Sequence, residues 1–243
     1  MKDTIKLKNK KNTLIIAHRG ASGLEKENTY PAFIAGGNRS YYGLECDVHK
    51  TIDGKYVIIH DDFTGRVALD NLEVEKSTYE TLRKLKLLDL NGKRGRNDLR
   101  IPSMEEYFNI CKDYNKVAVF EFKNKFEENE IIEMVNIINK LDYLHNTIFI
   151  SFCLDNLLTL RKHFPNTTAQ FLIEGDKLTN DVIELLVKHN LDIDCYYKLL
   201  NKENINLLHS KNIKINCWTV NNQDDAQNLI DLGVDFITSN ILE

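Results

Sequence analysis

Short apolar runs alternate with longer segments of helical periodicity along most of the chain. Strand-like runs occupy residues 13–17, 117–122, 147–152, 169–173, 191–197, 214–220 and 234–238, and a further one opens the stretch 43–61. Between them, Asn28-Thr29 with Pro31 just inside reads as a helix start, and so does Ser103 with Glu106 three residues later, a capping-box spacing. Residues 127–141 repeat Ile131, Val135, Ile138 and Leu141 at helical intervals, and 154–164, 179–189, 204–209 and 224–232 read as helices on the same ground. This makes eight strands, each but the last followed by a helix. Regular βα alternation argues for a parallel sheet, and eight units closing on themselves form an α/β fold of the (β/α)8 TIM-barrel class. An open doubly wound sheet would carry a Gly-x-Gly-x-x-Gly loop after strand one, which Ala17-His18-Arg19-Gly20-Ala21-Ser22-Gly23 does not match.

Two irregularities qualify the barrel. Residues 62–100 mix charge, Gly and short apolar pieces, and are expected to form a small insertion after strand two rather than a barrel element. The final helix is missing or reduced, and the polar lead-in 1–12 is expected to cover the gap. Residues 1–243 are thus expected to form one domain.

Charge narrows the partners. Thirty-two Lys and Arg nearly balance 36 Asp and Glu, so a net charge of -4 provides no broad attraction to nucleic acid or anionic lipid. The basic run Lys93-Arg94-Gly95-Arg96 lacks the aromatic platform of a nucleic-acid site and reads as a solvated loop. The N-terminal apolar run 14–17 is far too short for a signal peptide or a membrane span, so a cytoplasmic protein without stable membrane insertion is expected. Five widely spaced cysteines with no CxxC pair fit reduced core thiols rather than a disulfide framework or a zinc site. Oligomeric state leaves no signature in the sequence.

The barrel assignment also says where chemistry should collect, at the C-terminal ends of the strands. His18 and Arg19 end strand one, Glu45 and Asp47 lie late in strand two, Glu121 and Lys123 end strand three, and Trp218 lies near the end of strand seven. The period of two puts Glu45 and Asp47 on one face, and Glu121 and Lys123 likewise. Asp53-Gly54 then marks a hairpin turn that folds Tyr56-Val57-Ile58-Ile59 back and delivers His60 close to the acids. An oxygen-only set of Glu45, Asp47 and Glu121 suits Mg²⁺ or Ca²⁺ and disfavours zinc. Arg19 and Lys123 beside such a cluster make sense if a phosphate bridges cation and metal. His18 and His60 then complete a phosphoryl-transfer site as general acid and base, with the order of their roles open. His49 follows on the same strand and could line the mouth, while His145, His163, His189 and His209 fall on or after helices.

The ordered segments HRGASGLEKENTYPAF, ECDVHKTIDGKYVIIHDD, IPSMEEYF, EFK, SF and WTVN resemble the glycerophosphodiester phosphodiesterase family over nearly the whole chain. The resemblance implies a TIM barrel with a small insertion, His18 and His60 as the acid/base pair, Glu45, Asp47 and Glu121 as ligands of a divalent metal, and Arg19 and Lys123 as phosphate contacts. It further implies a supporting role for Glu27 and Asn28, and Trp218 as a pocket wall, for which a core indole is the competing reading. The chain departs from the family pattern at Lys26, at Ser151-Phe152-Cys153 and at Thr238-Ser239-Asn240. The implied reaction is metal-dependent hydrolysis of a small-molecule glycerophosphodiester to sn-glycerol 3-phosphate and an alcohol. Two alternatives are a lysophospholipase D-like enzyme of the same superfamily and a barrel that binds phosphodiesters without turnover.

Overall fold

Each barrel strand presents alternate residues to two different environments, and this parity organises the fold. In the computed structural model, which describes residues 3–175 and 178–243, the first elements are β1 (Leu14–Ala17), α1 (Tyr30–Gly37), β2 (Gly43–Lys50), β3 (Tyr56–Ile58), α2 (Tyr79–Lys84) and α3 (Met104–Asp113). There follow β4 (Val117–Phe122), α4 (Glu128–Lys140), β5 (Thr147–Ser151), α5 (Leu154–His163), β6 (Thr168–Ile173) and α6 (Asn180–His189). The last are β7 (Asp192–Tyr196), α7 (Lys202–Ser210), β8 (Ile215–Trp218), α8 (Gln223–Leu232) and β9 (Phe236–Ser239). All strands but β3 pair in parallel in the order β1, β2, β4, β5, β6, β7, β8, β9, and β9 returns to β1, closing the ring of a (β/α)8 TIM barrel. β3 lies outside the ring, antiparallel to β2 with His49 opposite Val57.

One strand parity packs outward against the helices: Ile15, Leu44, Cys46, Phe120, Phe149 and Ile237 join helix residues such as Phe33, Phe108 and Leu157 in the principal core. The other parity fills the lumen with Ile16, Val119, Ile148, Ile150, Leu172 and Phe236. The five cysteines are free thiols and four are buried, as expected of small core residues. Helix starts follow the caps in the sequence. Thr29 Oγ1 accepts from the Ala32 amide, and Ser103 with Glu106 forms the reciprocal capping box. Helix α7 begins at Lys202 rather than 204, because Asn201 and Asn204 cap each other reciprocally ahead of the apolar positions that suggested the start.

The segment between β3 and α3 builds a satellite core in which Val67, Val74, Leu82, Leu87 and Leu99 pack against Val57 and Ile59 of the hairpin. After β9, Asn240–Glu243 run beside the lead-in, with the Ile5 amide donating to the Ile241 carbonyl (2.9 Å) and the Leu7 amide to the Glu243 carbonyl (2.8 Å).

Two features fix the strand ends that matter most. Tyr107 on α3 donates its hydroxyl to the Leu44 carbonyl at 2.7 Å and lies 3.3 Å from that of Val119, tying β2 to β4. The chain leaves β1 through Arg19 and Gly20, both with positive φ (53° and 74°), so that Arg19 turns back over β2. A Cβ on Gly20 would lie 2.6 Å from the Ala32 backbone carbon. Gly20→Ala therefore combines a disfavoured backbone with a clash against α1, and is expected to destabilise the fold by about 2 kcal/mol or more. Thermal unfolding should show a fall in Tm of roughly 5 °C, and an unchanged Tm would contradict this turn.

Candidate active site

Glu45 and Asp47 point into the barrel mouth from one face of β2, and β4 sets Glu121 in register beside Asp47. Ligand oxygens of the three carboxyls lie within 4.8 Å of one another, and all three residues are buried. Burial and the neighbouring charges of Asp47 and Glu121 push Glu45 well above the ordinary carboxylate range, and burial with the Asp47 charge pushes Glu121 up to about 8. Burial opposes the charge of Asp47 as well. Arg19, His60, Lys123 and the Asn28 amide nonetheless hold it ionised, well below its usual range. The cluster therefore favours charge on Asp47 and the protonated form of Glu45 and Glu121, for want of further positive charge. Among the described residues, Asp47 Oδ1 is buried without a hydrogen-bond partner. An oxygen-only donor set with an orphaned, inward-facing oxygen fits a hard divalent cation of the Mg²⁺ or Ca²⁺ type.

Two imidazoles face this cluster from different elements. His18, just beyond β1, pairs its Nδ1 with Asn240 Oδ1 (2.7 Å), leaving Nε2 on the cavity side, 3.9 Å from Glu45 Oε2. Burial and the adjacent Arg19 charge pull its pKa down to about 4. His60 arrives by the hairpin: Gly54 turns the chain with φ of 75°, and the Ile59 amide donates to the Asp47 carbonyl (3.0 Å), bringing the next residue to the acids. His60 Nδ1 meets Asp61 Oδ1 at 2.5 Å, and its Nε2 accepts from Lys123 Nζ at 2.9 Å. Lys123 also lies 2.9 Å from Glu121 Oε1 and 3.7 Å from Asp47 Oδ1.

Arg19 donates its backbone amide to Glu45 Oε2 (2.7 Å), places Nε 3.4 Å from Asp47 Oδ2, and donates Nη1 to Glu27 Oε1 (2.9 Å). Glu27 in turn accepts from Arg66 of the insertion at 2.7 and 2.8 Å. Arg66 also bonds both oxygens of Asp61, the partner of His60. Against the cost of burial, these guanidinium contacts bring Glu27 down to about 2. A continuous ionic chain thus runs from Asp47 through Arg19, Glu27, Arg66 and Asp61 to His60. Asn28, itself at φ 52°, donates to Asp47 Oδ2 (2.6 Å).

A cavity of about 60 Å³ is lined by His18, Arg19, Glu45, His60, Glu121, Lys123 and Trp218, so seven residues singled out in the sequence share one space. Asp47 lies beneath it and Glu27 supports Arg19 from outside. Trp218 forms the wall with Phe152 at an edge-to-face ring distance of 5.7 Å. His49 does not reach the mouth. Because β2 continues past the rim into the β3 ladder, its ring is fully buried, 3.2 Å from both Glu75 Oε1 and the His60 carbonyl.

Four site residues escaped the reading of the sequence as such: Asp61, Arg66, Asp194 and, beyond its mention as a departure, Asn240. The parity of Asp192-Ile193-Asp194-Cys195 was the available signal for Asp194, which lines the cavity from β7. Burial, and then the Glu121 charge, push its carboxyl well above the ordinary range.

Glu121 supplies a pH test. Its pKa of about 8 exceeds the ordinary 4.5, so between those values the folded, metal-free protein retains a proton that the unfolded chain has released. Its favourable linkage is complete below the lower value and is lost as pH rises through the upper one. Glu121→Gln, neutral throughout, is expected to raise the Tm of the chelator-treated protein at pH 8 by about 2 °C or more, and by less at pH 5. Equal effects at both pH values would contradict the shift.

Residues 18–242 match the model of the glycerophosphoryl diester phosphodiesterase family. A glycerophosphodiester phosphodiesterase of Caldanaerobacter subterraneus is 28% identical over 227 residues, spanning 93% of each chain. One of Bacillus subtilis is 25% identical over 246 residues, spanning 93% of this chain and 83% of its own. The solved structure of an Oleispira antarctica phosphodiesterase in complex with the product sn-glycerol-3-phosphate shares the fold at a TM-score of 0.85, with 22% identity over 94% of this chain and 93% of that one. With a family match extending from His18 at the end of β1 to the close of the barrel, the chain belongs to the glycerophosphoryl diester phosphodiesterase family.

Proposed function

We propose that the protein hydrolyses glycerophosphodiesters to sn-glycerol 3-phosphate and a free alcohol, with a divalent cation of the Mg²⁺ or Ca²⁺ type held by Glu45, Asp47 and Glu121. The observation that carries this reading is the juxtaposition of an oxygen-only acidic triad, two of whose members line the cavity, with two imidazoles and two fixed cations on the same cavity wall. The product complex of the Oleispira antarctica phosphodiesterase supports it. When bound, the cation would neutralise the triad and withdraw charge from a phosphate oxygen.

The side chains divide the remaining work. Arg19 and Lys123 provide fixed positive charge where negative charge grows on the phosphate as the new P–O bond forms and the old one breaks. His18 is the base. Its Nδ1–H is engaged by Asn240, its lone pair at Nε2 faces the cavity, and its low pKa keeps it neutral at pH 7. It takes the proton of the attacking oxygen, either that of water or that of the glycerol hydroxyl next to the phosphorylated carbon, in which case water then opens the cyclic phosphate to glycerol 3-phosphate. His60 is the acid: Asp61 on its Nδ1 supports the imidazolium against the burial that lowers its pKa. The Nε2 of His60, which here accepts from Lys123, takes up the proton passed to the departing alkoxide as Lys123 turns to the phosphate. Arg66 positions this pair through Asp61 and, through Glu27, fixes Arg19.

An exposed Phe63 and Leu69 in a wider cleft beside His60 support a second reading, a lysophospholipid substrate whose apolar part rests there. In both cases the phosphoryl site is the same. Among the described residues, no helix is long and apolar enough to cross a membrane.

The decisive assay follows glycerol 3-phosphate release from glycerophosphocholine, glycerophosphoethanolamine and glycerophosphoinositol, with chelator and with Mg²⁺ or Ca²⁺ added back. Activity is expected to vanish with chelator and return with cation. His18→Ala and His60→Ala should each lower kcat by about 100-fold or more. Near-wild-type turnover by either variant would contradict the two-histidine assignment. Faster cleavage of a long-chain lysophospholipid than of glycerophosphocholine would favour the lipid reading.

A further inference from the structure

The mechanism leaves one buried acid of the cavity unused. Asp194 is 2% exposed, its Oδ1 is buried without a hydrogen-bond partner among the described residues, and it lines the same space as His18, Glu45 and Glu121. Buried polar atoms are nearly always satisfied, so an orphan at a cavity wall points to a ligand. Its polar neighbours in the lumen bond one another, although Gln170 Nε2 keeps no partner among the described residues. Asn216 donates to Gln170 Oε1 (3.1 Å) and Thr238 donates to Asn216 Oδ1 (3.1 Å). Asp194 stands in register with Asn216 yet takes no part in this string.

Position in the ring says what the ligand group is. β7 is four strands from β2 in a ring of eight, so Asp194 faces the triad from the opposite side of the mouth. A phosphate anchored near β2 has two exits. One crosses the narrow cavity, about 60 Å³, between Ile150, Phe152, Leu172 and Trp218 toward Asp194. The other is an open cleft of about 760 Å³ that shares His60 and Lys123 and is otherwise lined by residues such as Asp61, Phe63, Leu69 and Asn71. The constant glycerol half of the substrate suits the enclosed exit, and the variable alcohol suits the open one. Along the enclosed exit the polar groups are Thr238, whose hydroxyl proton is committed, and, both without a partner among the described residues, the Trp218 indole N–H, which can only donate, and Asp194 Oδ1, which can accept.

We infer that Asp194 accepts a hydrogen bond from the glycerol hydroxyl farthest from phosphorus, and thereby selects glycerol as the retained half of the diester. The inference rests on the phosphodiesterase reading above and adds to it a residue that reads substrate identity without taking part in proton transfer. A site built to bond a hydroxyl discriminates against the analogue that lacks it, because the buried acceptor is then left unpaired.

The test compares glycerophosphocholine with its analogue lacking only that terminal hydroxyl, the phosphocholine ester of propane-1,2-diol, which keeps the hydroxyl next to the phosphorylated carbon. Wild-type protein is expected to favour the glycerol substrate by about tenfold or more in kcat/KM. In Asp194→Leu, and in Asp194→Ala, which adds no bulk, the preference should collapse to about threefold or less, mainly through a higher KM for glycerophosphocholine. Asp194→Asn keeps an acceptor oxygen and should keep most of the preference. Wild-type discrimination persisting in the Leu or Ala variant, or a wild-type protein indifferent to the hydroxyl, would overturn the assignment. A wild-type protein that hydrolyses neither diester, with cation present, would overturn the phosphodiesterase reading and the inference with it, a result readily told apart from hydrolysis without discrimination.

Discussion

Three carboxyl groups crowded into one buried space repel one another, and much of the barrel mouth exists to manage that repulsion. Glu45, Asp47 and Glu121 could not all be ionised there without more positive charge than Arg19 and Lys123 bring. The fold favours charge on Asp47, under Arg19, Lys123 and Asn28, and disfavours it on the other two. This is a poor arrangement for stability and a good one for a cation, whose charge would release both protons. Cation binding and the stability of the metal-free fold would therefore be opposed at Glu121 in particular.

The same electrostatics reaches outward to the insertion. Arg19 is shared between Asp47 and Glu27, Glu27 between Arg19 and Arg66, and Arg66 between Glu27 and Asp61, so the orientation of His60 depends on residues far apart in sequence. The satellite core beneath Arg66 anchors its loop through Val57 and Ile59, the strand that carries His60. His49, buried behind this hairpin, holds the His60 carbonyl. The insertion thus serves as the mount of one cavity imidazole, while Asn240 at the far end of the chain, which also accepts from Ser22, mounts the other.

Strand periodicity carried most of what was legible. A period of two correctly placed Glu45 with Asp47, and βα alternation placed Glu121 on the neighbouring strand, because both are local regularities that survive into the fold. The hairpin to His60 followed from Asp53-Gly54. What was lost is equally specific. His49 has the right parity for the mouth but sits past the rim, a matter of strand length rather than pattern. Arg66 belongs to a segment without periodicity, where only tertiary contacts assign it a partner. Asp194 was absorbed into an apolar-looking run, although its parity with the lumen distinguished it from Ile193 and Cys195.

The central claim is that the triad stores protons which a cation displaces. Isothermal titration of the metal-free protein with Mg²⁺ or Ca²⁺ at pH 7, in buffers of different ionisation enthalpy, measures this directly. The account predicts release of about one to two protons per cation bound, and weaker binding as pH falls. A binding enthalpy independent of buffer, signifying no proton release, would contradict it.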